Sequence, residues 1–334
     1  MANSSSLPGK ERKMTNKDKY RIFAENNPDI CLYDRPWFLD AVCKNGSWDV
    51  LIYEKNNDIA GYLVYFVKQR YGLKYITQPL LTQHNGIWLK YPSGIKGEKK
   101  FSFECEAVSY FIGELEKGGF VSYFQCFSPD FANWMPFYWN GYRQNTDYTF
   151  LLSTGNTPYP EICKAYSKTV RYDIRKAEEA LNITESDDID AFYFLHNKTF
   201  ERQNMTSTVS LEFLKGFDSE CVQNKARKLL FADTPDGKHV CAAYLVYDDK
   251  CVYYLMSGTD SEYRNMNALS LLIDAGIRFA AETGRDFDFE GSMVEGIADY
   301  FRKFGGKLTP YFNITKTYTK NPVLRLLINK KLNH

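Results

Sequence analysis

Hydrophobic and polar positions recur along the chain with two periods, and each period predicts one kind of element. Apolar residues spaced three or four positions apart predict helices at about 17–25, 35–44, 101–117, 160–181, 188–203, 210–224 and 267–282. Alternating or continuous apolar runs bounded by turn residues predict strands at about 49–54, 59–68, 74–78, 120–127, 147–152, 226–233, 239–248, 250–257, 286–290 and 308–318. This mixture predicts an α/β fold with mixed sheets flanked by helices.

The order of these elements is repeated in the two halves of the chain. Ala60–Tyr65 matches Ala242–Tyr247, and the spacing from Ser128 to Gly141 equals the spacing from Ser292 to Gly305. We interpret the repeat as a duplicated domain; the alternative is chance agreement between amphipathic strands. The predicted units are a disordered tail at 1–14, an N-terminal domain at 15–152, a C-terminal domain at 160–320 and a C-terminal helix or tail at 321–334, with 153–160 as linker.

Composition narrows the classes of function. The length of 334 residues suits two domains, and 42 basic against 41 acidic residues leave a net charge of +1. This balance excludes a protein that holds nucleic acid by bulk positive charge. The aromatic fraction of 16% predicts a large core and a groove lined in part by rings.

Targeting signals and the familiar catalytic motifs are missing from the sequence. No apolar run reaches the length of a transmembrane helix, and the N-terminal residues lack a signal peptide's apolar region. The eight cysteines show no CxxC spacing, so we expect reduced thiols in a cytoplasmic protein. The sequence has no Walker A loop, HExxH, GxSxG or GxGxxG motif, and its four dispersed histidines predict no metal site.

One region resembles a known family. The stretch Asp286-Phe-Asp-Phe-Glu-Gly-Ser292, followed by Gly296-Ile297 and Phe301-Arg-Lys-Phe-Gly-Gly306, is similar to the C-terminal signature of FemAB-like peptidyltransferases and of their BioF2-like relatives with the GNAT acyltransferase fold. The resemblance covers about 30–320. It implies two tandem GNAT-like domains and transfer of an acyl or aminoacyl group to an amine acceptor, for which a cell-envelope precursor is one candidate.

The resemblance also implies where the donor binds. In such a fold a splayed strand and the N-terminus of the next helix hold the donor's phosphates. The candidate donor-binding residues in this chain are Ser257, Gly258, Arg264, Asn267 and Ala268. The segment 264–269 lacks both glycines of the GNAT pyrophosphate loop, so aminoacyl-tRNA stands beside acyl-CoA as a candidate donor, with transfer RNA as a further partner.

Three carboxylates alternate along the predicted strand at 286–290. Asp286, Asp288 and Glu290 are expected on one face, with Phe287 and Phe289 packed into the core on the other. Like charges on one face raise at least one pKa, which suits a general base near neutral pH. We take Glu290 as the leading candidate, with Asp288 and Ser292 as further candidate catalytic residues; a solvated sheet face is the alternative.

Candidate substrate-binding residues lie in both halves. Lys164, Lys168, Arg171 and Arg175 form one basic stripe on the predicted helix at 160–181, and the resemblance implies that Lys168 and Arg171 contact a diphosphate-bearing acceptor. The aromatic run at 131–139 suggests a groove lined by Trp134 and Tyr138, or else core. His196 is either a substrate contact or a satisfied, partly buried histidine.

Two other classes of function remain open from the sequence. A non-catalytic GNAT-fold module that binds an anionic ligand would explain the missing loop glycines. The Asp286-Phe-Asp288 pattern also fits the DxD motif by which glycosyltransferases hold a metal and a nucleotide sugar, although a pattern this short arises easily by chance.

Overall fold

The computed structural model describes residues 14–155, 157–202, 204–291 and 293–332. The first half contains helices α1 (Asn16–Glu25), α2 (Pro36–Val42), α3 (Gly97–Lys117) and α4 (Met135–Trp139). Its strands are β1 (Ser47–Lys55), β2 (Asp58–Arg70), β3 (Leu73–Thr77), β4 (Ile87–Leu89), β5 (Ser122–Cys126) and β6 (Arg143–Leu152).

The second half begins with helices and continues with strands in a similar order. The helices are α5 (Tyr159–Lys164), α6 (Lys168–Glu178), α7 (Ile189–Arg202), α8 (Leu211–Gln223), α9 (Ala268–Glu282), α10 (Glu295–Phe301) and α11 (Pro322–Leu332). The strands are β7 (Asn182–Glu185), β8 (Arg227–Asp233), β9 (His239–Tyr247), β10 (Cys251–Thr259), β11 (Asp286–Asp288) and β12 (Lys307–Thr317).

Local sequence signals account for several of these boundaries. Thr15 and Asp18 form a capping box at the start of α1, and Pro36 occupies the first turn of α2, where its missing N–H costs nothing. Asn56 and Asn57 have φ values of 53° and 65°, the left-handed geometry of a tight hairpin turn. The turn predicted between the first two strands is therefore confirmed.

Within the described ranges all the strands belong to one twelve-stranded sheet, in the order β1-β2-β3-β5-β12-β6-β11-β10-β9-β8-β7, with β4 beside β2. In each half an antiparallel meander is followed by a helix and a parallel strand: β1-β2-β3, α3 and β5 in the first, and β8-β9-β10, α9 and β11 in the second. The repeated order confirms two similar mixed α/β units.

The last strands of the two halves are exchanged. β6 lies between β12 and β11, both from the second half, and β12 lies between β5 and β6, both from the first. Each half is thus completed by a strand of the other, so that the two units share a continuous sheet. Whether 152 and 160 mark a domain boundary stays a prediction.

Helices cover both faces of this sheet. On one face a single apolar core packs α1 and α2 of the first half together with α7 and α8 of the second. On the other face there are two cores, one beneath α3 and α4 and one beneath α5, α6, α9 and α10. The shared core fixes the two halves to each other.

Two predicted elements differ from the structure for local reasons. The helix predicted at 160–181 is two helices, because Ser167 caps α6 by accepting a hydrogen bond from the Val170 N–H and so ends the run from α5. The strand predicted at 286–290 ends at Asp288, since Glu290 has a φ of 61° that a strand does not admit. The short elements β4, β7, α4 and α10 were not predicted.

Two further features concern membrane-spanning helices and cysteine pairing. No helix in the described part of the chain is long and apolar enough to cross a membrane. All eight cysteines fall within the described ranges and carry free thiols.

Candidate functional site

A cleft opens where β10 and β11 separate. The two strands pair in parallel only along Cys251–Tyr253 and Asp286–Asp288. Beyond this point β10 continues to Thr259 beside β9, with a bulge between Tyr254 and Met256, while β11 ends. The helix α9 follows β10, so its N-terminus lies at the same edge of the sheet, where ligands of α/β folds commonly bind.

A tight turn follows β11. Glu290 and Gly291 both have a φ of 61°, and the Glu290 N–H donates a 2.8 Å hydrogen bond to Asp288 Oδ1. A Cβ atom on residue 291 would lie 2.3 Å from the Tyr148 carbonyl oxygen, so only glycine fits. The Asp-Phe-Glu-Gly sequence therefore holds Glu290 in a fixed position beside the cleft.

The two carboxyl groups at this turn have specific partners. The Tyr33 hydroxyl, from the first half, donates a hydrogen bond to Glu290 Oε1, and the Thr149 hydroxyl donates one to Asp288 Oδ1. Asp288 is only 1% exposed. Thr149 belongs to β6 and Tyr33 to the short 3-10 helix Leu32–Asp34, so three separate segments build the site.

Burial shifts the protonation of both acids. Desolvation raises the pKa of Asp288 to about 6, against hydrogen bonds from Thr149 and Glu290 that lower it. Desolvation and the adjacent Asp288 charge raise the pKa of Glu290 well above its usual value, and the Tyr33 hydrogen bond opposes this shift. Both shifts make each carboxyl a better proton acceptor than an ordinary one, and the role of general base stays a prediction.

A cavity of about 350 Å³ lies between the halves beside this turn. Asp286 and Asp288 both line it, as expected for alternating positions of one strand, and Phe287 and Phe289 pack in the core on the opposite face. Asp34, whose pKa burial raises to about 7, lines the first-half wall together with His84. Within the described ranges no three His, Cys, Asp or Glu residues are grouped so as to hold a metal ion.

The equivalent cleft of the first half is closed by the chain itself. β3 and β5 pair only between Tyr75 and Ser122. Beyond them the segment Gln78–Gly86 runs along the end of β5: Gln78 Oε1 accepts a 3.1 Å hydrogen bond from the Cys126 N–H, and the Asn85 N–H donates a 2.9 Å hydrogen bond to the Cys126 carbonyl. Among the described residues, no comparable segment is hydrogen-bonded along the end of β11 in the β10–β11 cleft of the second half.

The predicted donor residues lie around the β10–β11 cleft. Ser257 and Gly258 lie near the end of β10, Arg264 is exposed on the 3-10 helix Ser261–Met266, and Asn267 and Ala268 begin α9. Asn267 has a φ of 57°, so asparagine adopts the left-handed conformation that usually requires glycine. Packing requires glycine at position 258, since a Cβ there would lie 2.2 Å from the His196 backbone nitrogen.

The predicted substrate-binding residues are not gathered in the cavity. Lys168 and Arg171 are exposed on α6, while Lys164 belongs to α5 and pairs with Glu161, so the four-residue stripe is wrong. His196 binds the Ser257 carbonyl through Nδ1 at 2.9 Å and links α7 to β10; burial lowers its pKa. Trp134 and Tyr138 do not line the cavity, and Tyr138 is 64% exposed.

Ser292 lies outside the described residues. Sequence reasoning missed Tyr33, His84, Thr149 and Asp34. Tyr33 and Asp34 precede the helix predicted at 35–44, and Thr149 lies inside a predicted strand, so only the tertiary fold brings them to Glu290 and the cavity. The signal that pointed to this place was the Asp-Phe-Glu-Gly signature.

Comparison with known proteins gives a consistent class. Residues 164–302 match the family described as acetyltransferase (GNAT) domain. FemX shares the fold with a TM-score of 0.72 at 12% identity, over 94% of this chain and 98% of that one. L-PGS from Bacillus licheniformis has a TM-score of 0.55 at 10% identity, with coverages of 95% and 97%. A tandem GNAT protein from the clavulanic acid biosynthesis pathway has a TM-score of 0.54 at 10% identity, with coverages of 91% and 94%.

The chain thus has the fold of two tandem GNAT-like domains, and its second half matches a family of GNAT acetyltransferase domains. No curated protein sequence matches the chain. The second half contains a GNAT acetyltransferase domain, and the whole chain has the fold of FemAB-like GNAT proteins, so the resemblance drawn from the sequence is confirmed.

Proposed function

We propose that this protein transfers an acyl or aminoacyl group from a bound donor to an amine acceptor, with the chemistry at Glu290. The observation that carries the proposal is the hydrogen-bonded set of Tyr33, Glu290 and Asp288 beside the cleft. A carboxyl with a raised pKa, fixed by partners from both halves, is suited to take a proton from an amine.

The donor is assigned to the β10–β11 cleft. Its floor is β10, and the N-terminus of α9 offers unpaired backbone N–H groups and a positive dipole end to a phosphate. Asn267 supplies the loop conformation and Arg264 an added positive charge. The corresponding first-half cleft is filled by Gln78–Gly86, which leaves one donor site per chain.

Both donor chemistries have support. The tandem GNAT protein was solved in a form without acetyl-CoA, and the C-terminal domain of a putative lysylphosphatidylglycerol synthetase from Agrobacterium fabrum shares the fold with a TM-score of 0.52 at 12% identity. We favour an aminoacyl donor, because the highest of these TM-scores is to FemX and the loop 264–269 lacks glycine. No step at Glu290 depends on which donor is bound.

The reaction then follows from the geometry. The acceptor enters as an ammonium ion and passes one proton to the Glu290 carboxylate. The free amine nitrogen attacks the donor's carbonyl carbon, a C–N bond forms, and the C–S bond of a thioester or the C–O bond of an ester breaks. The proton held by Glu290 goes to the departing sulfur or oxygen, which restores the carboxylate, and the nitrogen loses its other excess proton to solvent as the amide forms. Tyr33 and Asp288 keep the carboxyl in place.

The basic residues of α6 are assigned a separate role. Lys168 and Arg171 are exposed, and helical spacing puts them on the side of α6 away from Asp173, which binds Asn267 at 3.1 Å. We assign them to anionic groups of the acceptor that are distant from the reacting amine, as in a cell-envelope precursor encountered in the cytoplasm. Arg171→Ala should then raise the acceptor KM several-fold, whereas Arg175→Ala on the same helix should not.

The test is a transfer assay with labelled acetyl-CoA and labelled aminoacyl-tRNA, each supplied with a panel of primary amines. The proposal expects an amide product with one of the two donors, at a rate that Glu290→Gln abolishes and that the exposed Glu212→Gln retains. If neither donor binds or reacts while the protein is folded, the second half is a binding module and the proposal is wrong.

A further inference from the structure

The cavity between the halves combines apolar walls with an excess of acidic side chains. Six aspartates from five separate segments line it, against Lys250 as the one basic residue among its described lining residues: Asp29, Asp34, Asp130, Asp248, Asp286 and Asp288. Two of these aspartates are already engaged. Asp29 pairs with Lys250 at 3.0 Å, and Asp248 accepts hydrogen bonds from the Leu32, Lys250 and Cys251 N–H groups.

The other four form no ion pair within the described ranges. Asp288 belongs to the turn that carries Glu290, and Asp34 faces the cavity from the opposite half, held by the Tyr62 hydroxyl at 3.1 Å and the Gly86 N–H at 3.1 Å. Asp286 is partly buried and accepts hydrogen bonds from the Thr154 N–H at 3.0 Å and the Ser153 hydroxyl at 3.4 Å, and Asp130 is exposed at the cavity's edge. Asp34 and Asp288 are buried, and a buried carboxylate without a cation is costly, so this arrangement suits a positively charged ligand.

A second observation points to a ligand at the same place. The consecutive residues Gln83, His84 and Asn85 carry four buried side-chain atoms that no described residue contacts by a hydrogen bond: both amide atoms of Gln83, His84 Nδ1 and Asn85 Nδ2. His84 lines the cavity and is only 4% exposed. Native proteins leave few such atoms unsatisfied, since each costs about 1–3 kcal/mol.

The segment 83–85 also reaches the catalytic turn. Gln83 Nε2 lies 3.1 Å from the position that a Cβ of residue 291 would occupy, and the His84 ring lies 5.2 Å from the Tyr33 ring, centroid to centroid. His84 lines the cavity and Gln83 lies against the turn that carries Glu290, so this segment joins the two places, although Glu290 itself does not line the cavity. Burial lowers the pKa of His84 to about 4, so this side chain is neutral at pH 7 and adds no positive charge to the wall.

We propose that the acceptor carries two ammonium groups: one is held in the cavity by the carboxylates of Asp34 and Asp286, the other reacts at Glu290 beside the cavity, and Gln83–Asn85 contact the chain between them. This inference rests on the proposed function for the reacting amine only. A volume of about 350 Å³ is at the lower end for small-molecule sites and is ample for a short diamine.

The experiment measures binding without any donor. Calorimetry at pH 7.5 and low salt compares 1,4-diaminobutane, 4-aminobutan-1-ol and 1-aminobutane as probes. The proposal expects the diamine to bind at least tenfold more tightly than either monoamine. Asp286→Asn should reduce this preference to below threefold, and Asp34→Asn should do the same, whereas Asp58→Asn, on the exposed β1–β2 hairpin, should leave it unchanged.

The outcomes separate the two proposals. Equal affinity for the three probes, or a diamine preference that survives both cavity substitutions, overturns the inference whether or not acyl transfer is observed. A diamine preference with no transfer from any donor supports the inference and contradicts the proposed function. Gln83→Leu gives an independent readout: it should weaken binding of all three probes similarly while leaving the preference for two charges intact.

Discussion

The Tyr33 hydroxyl donates a hydrogen bond to Glu290 across the interface between the two halves of the chain. Tyr33 is fully buried, and the Glu290 charge helps to raise the pKa of its hydroxyl well above the usual value, so the tyrosine remains a donor at all working pH values. The carboxyl at which we propose the reaction is thus held by a residue of the other half, which makes the candidate site dependent on the way the halves join.

Two substitutions should move the pH dependence of transfer in opposite directions. Tyr33→Phe removes a hydrogen bond that lowers the Glu290 pKa, so the acidic limb of the kcat/KM profile should shift to higher pH. Asp288→Asn removes a like charge that raises the Glu290 pKa, so the limb should shift to lower pH.

The measurement is kcat/KM between pH 5 and pH 9 for the wild type and both variants. Asn keeps an oxygen that can accept the hydrogen bonds from Thr149 and from the Glu290 N–H, so Asp288→Asn tests charge more than shape. Shifts in the same direction, or an unmoved acidic limb, would mean that another group titrates in the profile.

Gly291 should be intolerant of any side chain. Gly291→Ala places a Cβ 2.3 Å from the Tyr148 carbonyl oxygen at a φ of 61°, and we expect a loss of about 2–4 kcal/mol in the free energy of unfolding. Gly296→Ala is the matched control, because its Cβ meets nothing within 4 Å in α10 and alanine favours a helix. Urea titration of both variants checks the difference, and equal stabilities would show that the turn is not constrained as described.

Asn267 should be replaceable by glycine and not by alanine. Both substitutions remove the hydrogen bond to Asp173, but only glycine adopts a φ of 57° without strain. We therefore expect Asn267→Ala to raise the donor KM about tenfold and Asn267→Gly to raise it by less than threefold. Steady-state kinetics at saturating acceptor measure the donor KM of both variants. A larger increase for Asn267→Gly than for Asn267→Ala would show that this loop does not bind the donor.

The first strands and most of the long helices could be predicted from the sequence because each depends on local pattern. Asp286 and Asp288 alternate with two phenylalanines, and this pattern placed them on the cavity side, whereas the left-handed turn takes Glu290 out of the strand. The exchange of β6 and β12 could not be predicted, since strand neighbours are set by tertiary pairing. For the same reason nothing in the sequence indicated that Tyr33 and Thr149 lie beside the two acids. The short helix at Met135–Trp139 was not predicted because its aromatic residues were interpreted as a groove or as core.

Asp34 should make the folded protein less stable as the pH rises. Its folded pKa of about 7 exceeds the ordinary 3.8, so the folded protein holds a proton that the unfolded chain releases, and this stabilisation is complete below pH 4 and lost as the pH rises through 7. The destabilisation caused by Asp34→Asn should therefore be smaller at pH 8 than at pH 5, by about 2–4 kcal/mol. Denaturant titrations at the two pH values measure it, and a difference of opposite sign would show that Asp34 is ionised in the folded protein near pH 5.

The most direct test of the central claim is the single-turnover rate of acyl transfer in Glu290→Gln, compared with the wild type and with Glu212→Gln at pH 7.5. Glutamine keeps the size of the side chain and can still accept the Tyr33 hydrogen bond, but it cannot take a proton. The account predicts a loss of about 10²–10⁴-fold with unchanged donor affinity and unchanged stability. A Glu290→Gln protein that transfers at the wild-type rate would contradict it.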